Sequence, residues 1–526
     1  MSVKTVGIVG AGLAGLTAAY RLTQKNIPCD IYEASDRVGG RAWSRSFANG
    51  QVYELGGEYI DSNHTSIIQL CRELGVSLID AAPRSTKETY MIVDYAKPGN
   101  PLVRYSVEEA FSDYKKVFPR VQADAYAAWP SNQSFSPNNP KARELDRKSI
   151  NEYVAEICTI LDPVAPLKTK YAQALLVAYK IEYGEETNLQ SALNLLFLMG
   201  YGDINTFAWF GTSDEKYNIL GGTETLVHAL QSYILGTGLA RIFTNSPLTK
   251  LIRYPTNRGR YELRTKTRSG VYDAVIMTPS FEAYETFDYS EAQFSPLKKY
   301  IISNCKLGNN TKLNMQFNSV LTSAGFRAYW ENLGYSGTSY TTTGYQSTWD
   351  VSQDQGDNRH SVLCNYTGGD KALTISSDFL ITNSDMRRQY LQKVTGEFLS
   401  ELEATYPGIS AYFKLEREFN ASIINWAEQP WTKGAYTCYR VGQYCGGSAT
   451  LNANGSITTG SDSGAWNFVV PIATFEGLPE PAALPTASRN CFFAGESTTL
   501  DWQGWLNGAT QTGEDVALAV NSFLKS

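Results

Sequence analysis

The sequence predicts an α/β fold in which a parallel sheet is assembled from separate stretches of the chain. Near the amino terminus, the run VGIV is followed by glycines and then by apolar residues at helical spacing. Near the other end, Phe492, Phe493 and Ala494 suit a second short buried strand, which is again followed by a helical pattern. Between them, residues 305–439 alternate polar and apolar positions and are rich in Tyr, Thr and Gly, which is typical of an antiparallel sheet.

The composition predicts a globular protein of two or more domains. The chain has 526 residues, of which 43% are hydrophobic and 19% charged, and its net charge of -6 disfavours capture of nucleic acid or an anionic membrane. The eight cysteines form no CxxC pair and the three histidines have no metal-ligand spacing, so neither a zinc site nor a disulfide framework is expected. With no signal peptide or bilayer-length apolar run, we expect a soluble, cytoplasmic protein.

The first glycine cluster predicts a dinucleotide site. Gly10, Gly12 and Gly15 form GxGxxG between the first strand and its helix, where they allow a tight turn, close approach to a pyrophosphate and close helix packing. The second strand, CDIYE, ends in Glu33, which lies where a carboxylate accepts hydrogen bonds from an adenosine ribose.

A second glycine cluster specifies the cofactor. The stretch EASDRVGGRAWS contains Arg37, Gly39, Gly40 and Arg41, and it resembles the segment that follows the dinucleotide fold in flavin-dependent amine oxidases. In that family these residues contact the FAD pyrophosphate and the flavin side. The resemblance therefore implies FAD rather than a nicotinamide cofactor.

The resemblance extends along almost the whole chain. Residues 54–76, 216–230, 272–280 and 490–517 look like the LGG segment, the GG turn, the returning strand and the carboxyl-terminal flavin motif of the family. It implies an α/β fold with a discontinuous Rossmann-like FAD-binding domain, a mixed-sheet substrate domain and a helical subdomain. The predicted FAD-binding parts are 1–62, 216–295 and 466–526; the substrate-domain parts are 63–110 and 296–465; the helical subdomain is 111–215.

Several positions are implied to hold the cofactor without a covalent bond. Glu496 would meet the ribityl chain, and the helix that follows would stabilise negative charge on reduced flavin. Ala435 stands where monoamine oxidases carry a flavin-linked cysteine, so non-covalent FAD is expected. The full predicted cofactor set is Gly10, Gly12, Gly15, Glu33, Arg37, Gly39, Gly40, Arg41, Gly57, Glu58, Leu248, Glu496, Gly504 and Trp505.

Three residues are implied to serve catalysis. WTKGAYT places Tyr436, and QGW places Trp505, where the family has the two aromatic walls of its substrate cage. Such walls press an amine against the flavin and exclude water. Lys312, in TKLNMQF, matches the lysine that holds a water near flavin N5 and assists the reaction with oxygen. This stretch alternates as a half-buried strand does, with Lys312, Asn314 and Gln316 on one face.

The substrate is the least determined feature. The Gly504–Trp505 corner is more like L-amino acid oxidases, so we predict hydride transfer from the α-carbon of an L-amino acid to flavin N5, giving a 2-oxo acid, ammonia and hydrogen peroxide, with oxygen as acceptor. Arg84 and Trp209 are weak candidates for the pocket. L-Amino acid oxidases of the snake-venom type carry an arginine shortly after the LG of the second motif, where it pairs with the substrate carboxylate. This chain has Glu58 in that segment instead, and a buried carboxylate there would suit a cationic substrate or a bond within the FAD domain.

Two other functions stay open. One is a primary amine or polyamine oxidase of the same fold, and the other is a non-catalytic FAD-binding module. A homo-oligomer is possible in any of these cases. The polar stretch 446–467 is expected to form a surface excursion or hairpin.

Overall fold

A parallel five-stranded sheet forms the centre of the fold in a computed structural model, which describes residues 4–81, 87–93, 102–131, 135–254, 259–294, 296–322, 325–352, 360–445, 449–451, 457–459, 490–499 and 501–525. Elements are numbered in chain order. The strand order is β25-β13-β1-β2-β9, with every neighbouring pair parallel. These strands are β1 Val6–Val9, β2 Cys29–Tyr32, β9 Ala240–Phe243, β13 Ala274–Met277 and β25 Cys491–Phe493.

A seven-stranded mixed sheet forms the second layer, in the order β21-β15-β20-β19-β18-β6-β7. Among the described strands of this sheet, only β18 and β6 pair in parallel. The strands β6 and β7 come from an earlier part of the chain than the other five. The strands are β6 Thr89–Ile92, β7 Val103–Tyr105, β15 Asn310–Phe317, β18 Ser339–Thr341, β19 Ser347–Asp350, β20 Ser361–Gly368 and β21 Ala421–Asn425.

Smaller sheets surround these two. The antiparallel sheet β10-β11-β12 is Leu248–Tyr254, Arg260–Thr265 and Ser269–Tyr272. The paired strands are β3 Ser44–Ser46 with β4 Val52–Glu54, β5 Leu78–Asp80 with β8 Tyr217–Ile219, β14 Lys306–Leu307 with β22 Thr437–Cys438, β16 Val320–Thr322 with β17 Gly325–Arg327, and β23 Ala449–Leu451 with β24 Ile457–Thr459.

The helices fall into two groups. Around the parallel sheet lie α1 Leu13–Gln24, α2 Thr65–Glu73, α8 Glu224–Gly236 and α12 Leu506–Lys525. The predicted helical stretch contains α3 Val107–Ala128, α4 Pro140–Asp146, α5 Ile150–Ile157, α6 Lys170–Tyr183 and α7 Ala192–Met199. The remaining helices are α9 Pro296–Asn304, α10 Tyr329–Asn332 and α11 Ser384–Leu402.

The two ends of the chain meet on one face of the parallel sheet. Helix α1 packs against both α12 and α8, and the Lys4 ammonium donates a hydrogen bond to the Leu524 carbonyl oxygen. Leu16, Ala18 and Val520 are fully buried in this shared core. The α/β fold predicted from the sequence is confirmed, and its parallel sheet draws strands from three distant parts of the chain.

The strand β15 departs from the sequence-based prediction of a half-buried strand. All eight of its residues are buried. Leu313, Met315 and Phe317 enter a hydrophobic cluster beneath α11, as their alternation predicts. The other face is also covered, because it packs against residues 49–58 instead of solvent.

That second face forms what we call the polar seam: Lys312, Asn314 and Gln316 against residues 49–58. The Lys312 ammonium bonds the Gly56 carbonyl oxygen and the Glu58 carboxylate, both at 3.0 Å. The Asn314 amide donates to the Glu54 carbonyl oxygen at 3.1 Å, and the Gln316 amide donates to Gln51 Oε1 at 2.7 Å. Alternate side chains of one strand thus join the mixed sheet to the segment beside the parallel sheet.

Other sequence-based expectations can be placed on the structure. All eight cysteines are buried. Within the described residues, every helix is too short or too polar to traverse a bilayer. Most of residues 446–467 lies outside the described residues, but β23 and β24 pair within it as an antiparallel hairpin.

Close helix packing at Gly15 gives a test of the fold. A Cβ added at Gly15 would lie 2.1 Å from the Gly10 carbonyl oxygen. We expect Gly15→Ala to destabilise the protein by ~1–3 kcal/mol, as overpacking does, and to lower FAD content. The measurement is thermal unfolding together with flavin absorbance.

The matched control is Gly396→Ala, in the exposed interior of α11, where an added Cβ meets nothing within 4 Å. It should be stabilising by up to ~1 kcal/mol, because alanine has the higher helix propensity. Equal stability of the two variants would contradict the packing role of Gly15.

Candidate functional site

A cavity of about 890 Å³ runs from the carboxyl end of β1 to the mixed sheet. This is within the usual range for cofactor and substrate pockets. Its lining includes the glycine clusters at one end and aromatic side chains of the mixed sheet at the other. The position agrees with the rule that ligands bind outside the carboxyl ends of parallel strands.

The glycine end forms a cradle for phosphate groups. Gly10 has a φ of +98°, and the backbones at Gly12 and Gly39 are bridged as parallel neighbours. An added Cβ at Gly12 would come within 3.9 Å of Gly39 O and Gly40 Cα and would fill the space between the two turns. Helix α1 begins here with no capping side chain and no acid in its first turn, so its N–H groups are available to an anion.

Glu33 and Arg37 border the cradle. The Glu33 carboxylate accepts from the Ala11 N–H at 2.8 Å and from the Ser35 N–H at 2.8 Å. The Arg37 guanidinium lies 4.0 Å from the Trp43 ring centre and donates to the Gly40 carbonyl oxygen. Burial lowers the pKa of Arg37 to about 10, which still leaves it charged at neutral pH.

The midsection of the cavity is organised by Glu496. Its carboxylate is buried and accepts from Arg41 Nη1 at 2.7 Å, from the Thr437 hydroxyl at 3.1 Å and from the Gly504 N–H at 3.0 Å. Arg41 also donates to the Ala435 carbonyl oxygen at 2.7 Å. One carboxylate therefore holds together the second glycine cluster, the Tyr436 segment and the start of α12.

The aromatic end brings Tyr436 and Trp505 to the same cavity. An added Cβ at Gly504 would lie 3.4 Å from the Tyr436 ring, so the two segments are in contact. The Tyr436 hydroxyl hydrogen-bonds the Tyr366 hydroxyl at 3.1 Å, which fixes the ring. The Trp505 ring lies 5.0 Å from the His64 ring, centre to centre, at an angle of 62°.

Lys312 and Glu58 form a buried ion pair on the cavity wall. Their N···O distance is 3.0 Å, and the side chains are only 6% and 4% exposed. Although burial opposes the charged form, the Glu58 carboxylate dominates and holds the pKa of Lys312 above its usual value. Lys312 is therefore a fixed cation at every accessible pH. The second oxygen of Glu58, Oε1, is buried and makes no hydrogen bond within the described residues.

Further carboxylates lie beyond the aromatic residues. Glu182, in the last turn of α6, and Glu215, just before β8, both line the cavity. Burial, and then Asp61, raise the pKa of Glu182 to about 7. Desolvation, and then the Glu182 carboxylate, raise the pKa of Glu215 to about 8. The Glu215 side chain is exposed and lines the cavity.

A buried histidine lies behind Trp505. His64 is packed between Trp505 and Trp502, and its Nδ1 accepts from the Asp61 N–H at 3.0 Å. Burial lowers the pKa of His64 to about 4, so the imidazole is neutral. Asp61 in turn accepts from the Glu215 N–H at 2.8 Å. This chain of contacts connects the Trp505 wall to the backbone of Glu215.

The structure brings nearly all of the predicted site residues to one cavity. Those lining it are Gly10, Gly12, Glu33, Arg37, Gly39, Gly40, Arg41, Gly57, Glu58, Leu248, Lys312, Tyr436, Glu496, Gly504 and Trp505. Gly15 acts in helix packing instead. Trp209 is buried in an aromatic core, where its Nε1 bonds the Tyr90 hydroxyl at 3.3 Å, and Arg84 lies outside the described residues.

Sequence reasoning missed the residues that reach the cavity from other elements: Tyr59, Glu182, Glu215, Trp349 and Tyr366. Tyr366 lies opposite Lys312 in the β15–β20 register, and Trp349 packs against Tyr366 with ring centres 4.9 Å apart. No local motif marks them. Only the strand pairing could have found Tyr366.

Comparison with known proteins agrees with this geometry. The profile of the family described as flavin containing amine oxidoreductase matches residues 13–521. The chain belongs to this family. A flavin-containing amine oxidase of Oncorhynchus mykiss is 21% identical over 98% of the chain and 85% of its own length, and the nicotine dehydrogenase of Pseudomonas putida is 22% identical over 99% and 88%.

Solved structures of flavin amine oxidases share the fold. Putrescine oxidase in complex with putrescine has a TM-score of 0.70 at 18% identity, and covers 99% of each chain. Cyclohexylamine oxidase from Brevibacterium oxydans has a TM-score of 0.71 at 17% identity, covering 99% of this chain and 100% of its own. The family assignment also identifies the cofactor as a flavin, FAD.

The residues present fit a flavin of this kind. The uncapped helix α1 and the open space at Gly12 suit a pyrophosphate, and the Arg41–Glu496 network lies between this cradle and the aromatic residues. Ala435, beside Tyr436, offers no sulfur for a covalent bond.

The buried ion pair in this flavin amine oxidase gives a stability test. Lys312→Met leaves the Glu58 carboxylate buried without its partner, which should cost ~3–5 kcal/mol. Adding Glu58→Gln removes the stranded charge and should recover part of that loss. Thermal or urea unfolding of the two single variants and the double variant measures the coupling.

The exposed pair Lys393–Glu397 on α11 provides a matched control, since its side chains are 71% and 66% exposed. Lys393→Met should change stability by less than about 0.5 kcal/mol. If Lys312→Met were equally mild, the ion pair would not be a structural determinant of the cavity wall.

Proposed function

We propose that this protein catalyses FAD-dependent oxidation of a primary amine that lacks a carboxylate. The observation that carries the proposal is the pairing of Tyr436 and Trp505 beside Lys312, on a cavity continuous with the glycine cradle. Aromatic walls suit the apolar body of an amine. Two of the similar proteins named above are oxidases of putrescine and cyclohexylamine, neither of which carries a carboxylate.

The charges of the cavity favour an amine over the L-amino acid expected from the sequence. An amino acid would require a cation for its carboxylate, because an unpaired buried charge is costly. Among the described lining residues, the arginines are engaged near the cradle: Arg37 with Gly40, Arg41 with Glu496, and Arg45 against the Trp43 ring. Lys312 is already paired with Glu58.

The residues around the aromatic slot then have definite tasks. When bound, the flavin supplies two-electron oxidation of the amine. Tyr436 and Trp505 orient the amine and exclude water, and the dry slot lowers the pKa of its ammonium group, which favours the neutral donor form. Lys312 provides a fixed positive charge that stabilises negative charge developing nearby. Tyr366 holds the Tyr436 ring through their hydroxyl contact.

The electron acceptor is proposed to be oxygen, as the sequence predicted. The named relatives include an amine oxidase and a nicotine dehydrogenase, so proteins of similar sequence carry both descriptions. Lys312 supports the oxidase, since a protonated lysine favours reduction of oxygen to an anionic product. Mixing the reduced protein with air-saturated buffer, and following flavin absorbance, measures this directly.

A substrate panel tests the proposed reaction. Under anaerobic conditions, primary amines should bleach the flavin absorbance near the visible maximum, whereas L-amino acids of matching side chain should not, because their carboxylate finds no cation. Bleaching by amino acids alone would restore the L-amino acid oxidase. No bleaching by any compound would favour the non-catalytic FAD-binding module.

The aromatic wall can be tested by a pair of substitutions at Tyr436. Tyr436→Ala removes the ring and should lower kcat/KM for an amine ~10- to 100-fold, the effect of a misplaced substrate. Tyr436→Phe keeps the ring and loses only the hydroxyl contacts with Tyr366 and the Ile181 carbonyl oxygen, so it should cost less than about tenfold. Steady-state kinetics with flavin content as a control distinguishes the two. Equal kinetics for Tyr436→Ala and the unaltered protein would contradict the wall.

A further inference from the structure

The cavity contains anionic groups that the oxidation of a simple amine does not use. Glu182 and Glu215 both line it, and neither carboxylate takes part in a hydrogen bond or ion pair within the described residues. Each is instead surrounded by like charge. The Coulomb neighbour with the greatest influence on Glu215 is Glu182, followed by Asp61 and Glu58.

The backbone next to each of these carboxylates is linked to one of the two aromatic walls. Glu182 follows Ile181, whose carbonyl oxygen lies 3.4 Å from the Tyr436 hydroxyl. Glu215 is held through its N–H by Asp61, which also positions the His64 ring behind Trp505. One acid therefore adjoins each wall, and both face the same cavity.

Two further observations indicate that the missing partner is a cation. Glu58 Oε1 is buried in the wall of the same cavity and has no hydrogen-bond donor among the described residues. Glu182 also occupies the last turn of α6, where the helix dipole is negative and opposes a carboxylate but attracts a positive group. A cation placed here would relieve all of these repulsions.

The partner is an organic cation rather than a metal ion. Within the described part of the chain, no three His, Cys, Asp or Glu side chains are arranged to hold a metal. The cavity is also continuous with the aromatic slot that receives the amine. A second ammonium group on the substrate itself would reach the carboxylates while the first lies between Tyr436 and Trp505.

We propose that Glu182 and Glu215 form a subsite for a second cationic group, which makes the substrate class an alkyl diamine or a longer polyamine. This rests on the proposed amine oxidation and adds specificity to it. The carboxylates act as specificity-determining residues: they bind the remote ammonium and so select the chain that carries it. They take no part in the oxidation of the first amine.

The test compares α,ω-diamines of four to six carbons with n-alkylamines of the same lengths, under anaerobic conditions, by the rate of flavin bleaching against concentration. The holoprotein should favour the best diamine over its matched monoamine. Glu215→Gln and Glu182→Gln should each lower the diamine-to-monoamine ratio of efficiencies ~10- to 100-fold, the value of one charge-assisted hydrogen bond.

The control is Glu186→Gln. Glu186 lies four residues beyond Glu182, outside the cavity lining, and pairs with Lys180 at 2.7 Å. The Glu186→Gln substitution removes one negative charge from the same region and should leave the diamine-to-monoamine ratio unchanged. Flavin absorbance confirms that each variant is loaded, and removing a repelled carboxylate should not prevent folding.

The pH dependence offers a second measure that needs no variant. Because the pKa of Glu182 is raised to about 7 and that of Glu215 to about 8, both are largely protonated at pH 6 and largely ionised at pH 9. A remote alkylammonium stays charged over this range. The diamine-to-monoamine ratio should therefore rise with pH, and the rise should vanish in the double glutamine variant. The charged and titratable groups around the pair are Glu58, Asp61, His64, Glu88, Asp214 and Lys312.

The possible outcomes separate the subsite from the reaction. If monoamines bleach the flavin but the ratio is the same in the holoprotein, Glu182→Gln and Glu215→Gln, then the subsite is wrong and amine oxidation stands. If no amine of either kind bleaches the flavin, the proposed function fails and the subsite fails with it. A ratio that falls in the glutamine variants but not in Glu186→Gln supports the subsite.

Discussion

The polar seam between β15 and residues 49–58 is the contact on which the site depends. It provides hydrogen-bond acceptors for the alternate polar side chains of a strand that is buried on both faces, and it fixes the Gly56–Glu58 segment against the mixed sheet. The ion pair at its end is the most demanding contact, because a buried charge without a partner is strongly unfavourable. The same pair places a permanent cation on the wall of the cavity. The contact that holds residues 49–58 against the mixed sheet therefore also places a positive charge on the cavity wall.

Across this junction the character of the cavity changes from one end to the other. The cradle offers backbone N–H groups and arginines to an anion, and the far end offers carboxylates to a cation. Between them lie Glu496, bonded to Arg41, and the two aromatic walls. The charges of the cradle therefore favour binding of phosphate groups, and the charges at the far end favour binding of a positively charged chain. This opposition of charge sorts cofactor from substrate before any specific contact is made.

The sequence predicts the parts of this arrangement that are written in short, contiguous motifs. The glycines of the cradle follow from their spacing, and Tyr436 and Trp505 follow from the family resemblance of the short motifs around them. Residues such as Tyr366 and Glu182 reach the cavity from elements whose positions follow from tertiary packing, and no local pattern distinguishes them from other buried or helical residues.

The environment of β15 shows a second limit of prediction from the sequence. Alternation of polar and apolar residues reports that the two faces differ, but it does not say whether the polar face meets water or another polar surface. Here it meets residues 49–58, and the predicted solvent face is buried. For a related reason the Gly504–Trp505 corner does not determine the substrate class, because it describes one wall and carries no information about the charges behind it.

The contact of α1 with α12 has a consequence for how the protein is made. β1 emerges from the ribosome hundreds of residues before β25 and α12, which complete its sheet and its helical layer. At roughly 5–20 residues per second, the interval is roughly 25 to 100 s. Throughout synthesis the nascent chain lacks the edge strand of its sheet and the Glu496 and Trp505 side of the cavity, so a complete flavin site forms only when translation is nearly finished.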